Sequence, residues 1–247
     1  MRRIKIQVSY DGTDYRGWQV QPGLPTIQGT LEQVAGEIEG QPVQVAGSGR
    51  TDAGVHALAQ VAAFNLENPI PLDNLRRAMN RLLPFDIRVL SAEEAPLEFH
   101  PRYAAHAKTY EYRVFRGAIC SPFERRYVYH HPYPLDVEQM IQLAPLLEGE
   151  HDFTAFAASD ERDEEGASKV RTIFCSRWAV EGERLIYRVS GSGFLKHMVR
   201  NIMGVLLEAG KGNVNRASLL TRLQPGCAIP PGPTAAARGL FLISVQY

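Results

Sequence analysis

The first ninety residues alternate between two hydrophobic periods, and their order limits the fold more than any other feature. Ile4, Ile6 and Val8 alternate with Arg3, Lys5 and Gln7, which predicts a half-buried strand over residues 2–10. Thr26 can cap a helix whose apolar residues Ile27, Leu31, Val34 and Ile38 step by four, three and four. A short strand over 43–46 and a longer one over 58–64 follow. A second helix runs over 72–83 with Leu72, Leu75, Met79 and Leu82 on one face, and Pro84 stops it. Residues 87–90 can form a further strand. Strand, helix, strand, strand, helix, strand is the split βαβ pattern, an antiparallel sheet with helices on one face.

The second half is expected to repeat it. Residues 107–116 alternate, with Tyr110, Tyr112 and Val114 on one side and Glu111, Arg113 and Phe115 on the other. A helix follows over 137–144, then a strand pair over 170–180 and 184–190 around Glu181-Gly182-Glu183. A helix over 194–209 points Leu195, Met198, Ile202 and Leu206 inward, and a last strand covers 239–246. The expected class is α+β: two similar βαββαβ-type halves, antiparallel sheets side by side, helices packed on one face and an active-site cleft between. The boundary falls near residue 105, with domains 1–105 and 106–247.

At 247 residues the chain suits one large domain or two ordinary ones. No run of eighteen apolar residues suggests a membrane span, and the start reads as a strand and not as a leader. Cys120, Cys175 and Cys227 are odd in number and far apart, as for reduced thiols in the cytoplasm. Net charge is zero, which does not by itself suggest nucleic acid. Five of the 27 cations are lysines and 22 are arginines, whose forked guanidinium groups suit phosphate. A GC-rich or heat-adapted source explains that bias equally well. The acidic run at 160–166 reads as a solvated loop.

Chemistry concentrates in residues 47–57, G-S-G-R-T-D-A-G-V-H-A. Its glycines permit positive φ and close approach. Arg50 stands two residues from Asp52, near enough to hold a carboxylate ionised. Asp52 is either a turn residue or a nucleophile or base. The loop lacks the Lys-Ser/Thr of a phosphate loop, and the strand after it leaves no room for a dinucleotide fingerprint. None of the seven histidines stands in a metal-binding frame, so no metal and no cofactor is expected. His56 reads as a hydrogen-bonding neighbour. Tyr110 and Tyr112 are strand packing or a platform for a base. Arg200, one turn from Lys196, either lies in solvent or reaches inward to a buried acid. Arg77 and Arg81 share a helix face away from the apolar one, and Trp18 is core or interface.

The loop resembles the signature of the tRNA pseudouridine synthase A family. So do Tyr10-Asp11-Gly12-Thr13 with Gly17-Trp18-Gln19, Lys108-Thr109-Tyr110-Glu111-Tyr112 and His151-Asp152-Phe153. Residues Phe194 to Asn201, Gly239-Leu240 and Val245 to Tyr247 agree as well, and the blocks span nearly the whole chain in family order. The resemblance implies conversion of uridine to pseudouridine at positions 38, 39 and 40 of the tRNA anticodon stem-loop, without cofactor, by a homodimer. It assigns Asp52 as the catalytic aspartate, Arg200 as its basic partner and Arg50 as the residue that helps extrude the base. It sets Tyr110 against the target base and makes Leu240 a candidate for the pocket lining. Arg77 and Arg81 are expected to contact tRNA phosphates. An RNA-binding module without activity, or a nucleotide-using enzyme with an unusual phosphate loop, are the rival readings.

Overall fold

The structure is a computed structural model that describes residues 1–159, 167–227 and 229–247. The acidic run at 160–166 lies outside the described residues. The chain forms two compact units, residues 1–106 with 241–247, and residues 107–240.

In the first unit the central strands are β1 (Arg2–Tyr10) and β3 (His56–Leu66), paired antiparallel, with β4 (Ile87–Ala95) antiparallel on the other side of β1. The expected strand over 43–46 is reduced to β2 (Ala46–Gly47), which pairs with Ala62 and Ala63 of β3. The alternation in β1 works as its sequence implies: Ile4, Ile6 and Val8 are fully buried while Arg3, Lys5 and Gln7 are partly exposed. Helix α1 (Ile27–Glu39) starts where the Thr26 side chain accepts the Gly29 N–H, and ends at Gly40 with a left-handed φ of 80°. Helix α2 (Leu72–Leu82) buries Leu75 and Met79. It stops at Leu83, whose extended backbone is what a residue before proline prefers.

The last strand, β10 (Leu240–Gln246), corrects the division at 105/106, which gave it to the second half. Phe241 and Leu242 pair parallel with His56 and Ala57 of β3, and residues 241–247 belong to the first unit. The Tyr247 hydroxyl donates to the Pro101 carbonyl at 2.9 Å, and its ring stands 5.2 Å from that of Phe99.

In the second unit β5 (Ala107–Phe115), β9 (Arg184–Gly191), β8 (Val170–Glu181) and β7 (Gly149–Asp152) form an antiparallel succession. The two-residue β6 (Tyr129–His130) adds a parallel pair to β5. The succession β8-β9-β5 repeats the β2-β3-β1 of the first unit, as two similar halves require. Helices α3 (Val137–Leu143), α4 (Met198–Gly210) and α5 (Arg216–Arg222) complete the unit. Helix α4 starts four residues later than its hydrophobic period suggests. His197 takes a left-handed φ of 59°, and the Met198 N–H turns back to the Leu195 carbonyl at 3.1 Å.

Tyr112, Val114, Leu185, Tyr187 and Val189 are fully buried on one sheet face. On the other face Glu111 is also buried, although the alternation sets it toward water. Its two carboxylate oxygens accept from Arg113 Nε at 2.8 Å and Arg188 Nε at 2.7 Å. Burial pushes the carboxyl up, but the hydrogen bonds and charges of the two arginines outweigh it and hold Glu111 below its ordinary value. A depressed carboxyl stabilises above its unfolded value and loses that contribution as pH falls through the folded one. Denaturant unfolding between pH 5 and 3 should therefore show Glu111→Gln losing less stability with acid than the parent. Equal acid sensitivity of the two would refute this role.

Candidate active site

The glycine-rich loop is braced from beneath by buried polar groups of the first unit. It leaves β2 at Gly47 and enters β3 at His56. Ser48 N–H donates to Val61 O at 2.8 Å, and Gln60 Nε2 donates to Gly49 O at 3.0 Å. The Tyr10 and Thr51 hydroxyls share a bond of 2.8 Å, and Trp18 N–H donates to Thr51 O at 3.0 Å. Past the aspartate, Val55 N–H closes a turn onto Asp52 O at 3.1 Å, with Gly54 at φ 76°. Backbone polar groups that lose water need such partners, and here each shoulder of the loop has one.

Trp18 is core: it is buried, and an added Cβ on Gly47 would stand 2.5 Å from its ring. Gly47 is thus required by close approach of an indole. His56 is buried against the Phe241 ring, 4.7 Å between centroids. Its Nδ1 lies 3.1 Å from both the Gly12 N–H and Asp11 Oδ1. It serves one at a time: unprotonated it accepts from Gly12, protonated it donates to Asp11. Either way His56 is the hydrogen-bonding neighbour its position suggests.

Asp52 itself is partly buried, neither sunk in the core nor standing in open water. Arg50 is exposed at the rising side of the loop. Arg77 and Arg81 are both exposed on α2, in a helix whose neighbouring Arg76 lies 4.0 Å from Asp73.

The second unit carries the other candidates. Tyr110 is mostly buried with its ring edge-on to Phe194, centroids 5.1 Å apart. Tyr112 is core, not platform: its hydroxyl donates to Ala236 O at 2.8 Å and burial pushes its pKa up. Arg200, in the first turn of α4, is fixed to the backbone of Ala235. Its Nε donates to Ala235 O at 2.8 Å, and Ala235 N–H returns a bond to Arg200 O at 3.1 Å. Leu240 is buried at the start of β10. Sequence reasoning missed Gln60, and placed Tyr10 and Thr51 in motifs without giving them a bracing role. The signal available was Gln60, one polar residue inside the run from Leu58 to Phe64.

Among the described residues no three His, Cys, Asp or Glu side chains gather as metal ligands, and no helix is long and apolar enough to cross a membrane. The glycine-rich loop thus presents a partly buried carboxylate on a braced backbone. The family profile described as tRNA pseudouridine synthase matches residues 6–104 and 143–247. A protein of Solibacter usitatus named tRNA pseudouridine synthase A is 64% identical over 247 residues, covering 100% of both chains. One of the same name from Halalkalibacterium halodurans is 44% identical over 98% of this chain and 91% of its own, and one from Geotalea uraniireducens is 44% identical over 100% of both. The chain belongs to the tRNA pseudouridine synthase family, isomerases that convert uridine to pseudouridine in tRNA.

Proposed function

We propose that this chain isomerises the uridines at positions 38, 39 and 40 of the tRNA anticodon stem-loop, with Asp52 as its essential catalytic residue. The observation that carries the reading is the braced loop, which holds one partly buried carboxylate at fixed height. The reaction breaks the N1–C1′ glycosidic bond, turns the uracil, joins C5 to C1′, and returns the C5 proton's equivalent to N1. Atoms and electrons balance within the nucleoside, so no co-substrate is consumed.

The enzyme has to reach C1′ and the base edge, so the nucleotide must leave its stack, which costs a few kcal/mol. Arg50, exposed on the loop, is the group proposed to fill the vacated space. Tyr110, held edge-on by Phe194, is proposed to meet the everted base, with Leu240 lining the pocket. Arg200, fixed at Ala235, is proposed as the cation of the catalytic centre. Asp52 attacks C1′ or C6, or removes a sugar proton to give a glycal; all three routes need the same ionised carboxylate. The resemblance supports action as a homodimer in the cytoplasm.

The test is direct. The protein is incubated with unmodified tRNA and the product is mapped for pseudouridine. Appearance at 38, 39 and 40 supports the reading, and modification elsewhere or none overturns it. Arg77→Ala and Arg81→Ala should weaken tRNA binding, each lowering the salt slope by about one, while the single-turnover rate changes little. Unchanged affinity in both would remove the phosphate-binding role of α2.

A further inference from the structure

We propose that Gln60 is a positioning residue for this reaction, setting the catalytic loop at its working height through Ser48 and Gly49 on its rising side. The inference rests on the assignment of Asp52 made above. Gln60 sits on β3 with no solvent exposure. Its Oε1 accepts the Ser48 hydroxyl at 2.5 Å and the Val61 N–H at 3.2 Å. Its Nε2 donates to Gly49 O at 3.0 Å. The amide thus uses both acceptor positions of its oxygen and one donor of its nitrogen.

Two of those bonds tie β3 to a segment twelve and eleven residues away in sequence. Ser48 and Gly49 form the rising side of the loop. Tyr10, at the end of β1, adds a separate bond to Thr51, the residue before the aspartate. Burial pushes the Tyr10 hydroxyl pKa up, so it stays neutral and keeps its proton for the network. A strand interior built of Ala, Val and Phe has no packing need for an amide, and a buried amide is tolerated only when satisfied. Its purpose here is geometric, because a displacement of about 1 Å at a reacting group costs on the order of 10²-fold in rate.

The experiment compares Gln60→Met, Tyr10→Phe and Asp52→Asn in the full-length protein. Each is checked for fold by circular dichroism, for tRNA affinity, and for single-turnover rate at saturating tRNA. The expected result is wild-type affinity with a rate about 10²-fold lower for Gln60→Met and about 10-fold lower for Tyr10→Phe. A purely structural role would instead reduce the folded fraction, or lower affinity and rate together, and either pattern overturns the proposal. Should Gln60→Met not fold, Ser48→Ala decides in its place, since it removes the hydroxyl that Gln60 Oε1 accepts and leaves the strand unchanged. Full-rate Gln60→Met and Tyr10→Phe beside an inactive Asp52→Asn would sink the positioning role and leave Asp52 standing. A full-rate Asp52→Asn would sink the assignment of Asp52 first.

Discussion

Asp52→Asn should bind tRNA as tightly as the parent and release no tritium from C5-labelled uridine. The expected loss in single-turnover rate is at least about 10⁴-fold, the scale on which an essential base or nucleophile acts. Asparagine has nearly the shape of aspartate, so the substitution removes charge and little else. The loop contacts made through Ser48, Gly49, Thr51 and the Asp52 carbonyl do not change. The thermal midpoint should accordingly stay at that of the parent, which separates lost chemistry from lost fold. Asp52→Glu sharpens the point. It restores the charge but carries it one methylene further, and it too should be slow, by about 10²-fold if position matters as much as ionisation. Tritium release by Asp52→Asn at the parental rate would end the account of the loop as a catalytic device.

The strands and helices were legible because their signals are local. Period two in Ile4, Ile6 and Val8, period 3.6 in Ile27, Leu31 and Val34, the Thr26 cap and the Pro84 stop each act within a few residues. What escaped depends on pairing between distant segments. The return of β10 to β3, the shrinkage of β2 to two residues, and the burial of Glu111 under Arg113 and Arg188 are set by neighbours across the sheet. The start of α4 was misread for another reason: its apolar period continues back through Leu195, but the left-handed His197 interrupts the backbone. In the active site the same division holds. Glycines around Asp52 announced a site by composition alone. The groups that do hold the loop, Tyr10 and Gln60, come from two different strands and share no spacing with it.

Gly204→Ala should destabilise the protein by about 3 kcal/mol or more, against the direction that helix propensity dictates. Gly204 lies in the interior of α4, where alanine is favoured over glycine by roughly 1 kcal/mol on propensity alone. Packing reverses the sign. An added Cβ would stand 1.5 Å from the Pro233 carbonyl oxygen and 2.7 Å from its carbon. These are backbone atoms, so no side chain can swing aside, and the segment after Pro233 must move from the helix. That segment is not idle. Thr234 donates to Asn201 Oδ1 at 2.7 Å, Ala235 clamps Arg200, and Ala236 accepts from Tyr112. Displacing it therefore loosens the arginine proposed for the catalytic centre as well as the core. For a chain of this size the destabilisation corresponds to a fall in melting temperature of about 6–12 °C. Gly193→Ala is the control, because a Cβ there meets nothing closer than 4.0 Å. A Gly204→Ala protein that melts with the parent would show that α4 and the Pro233 segment are not in contact as described.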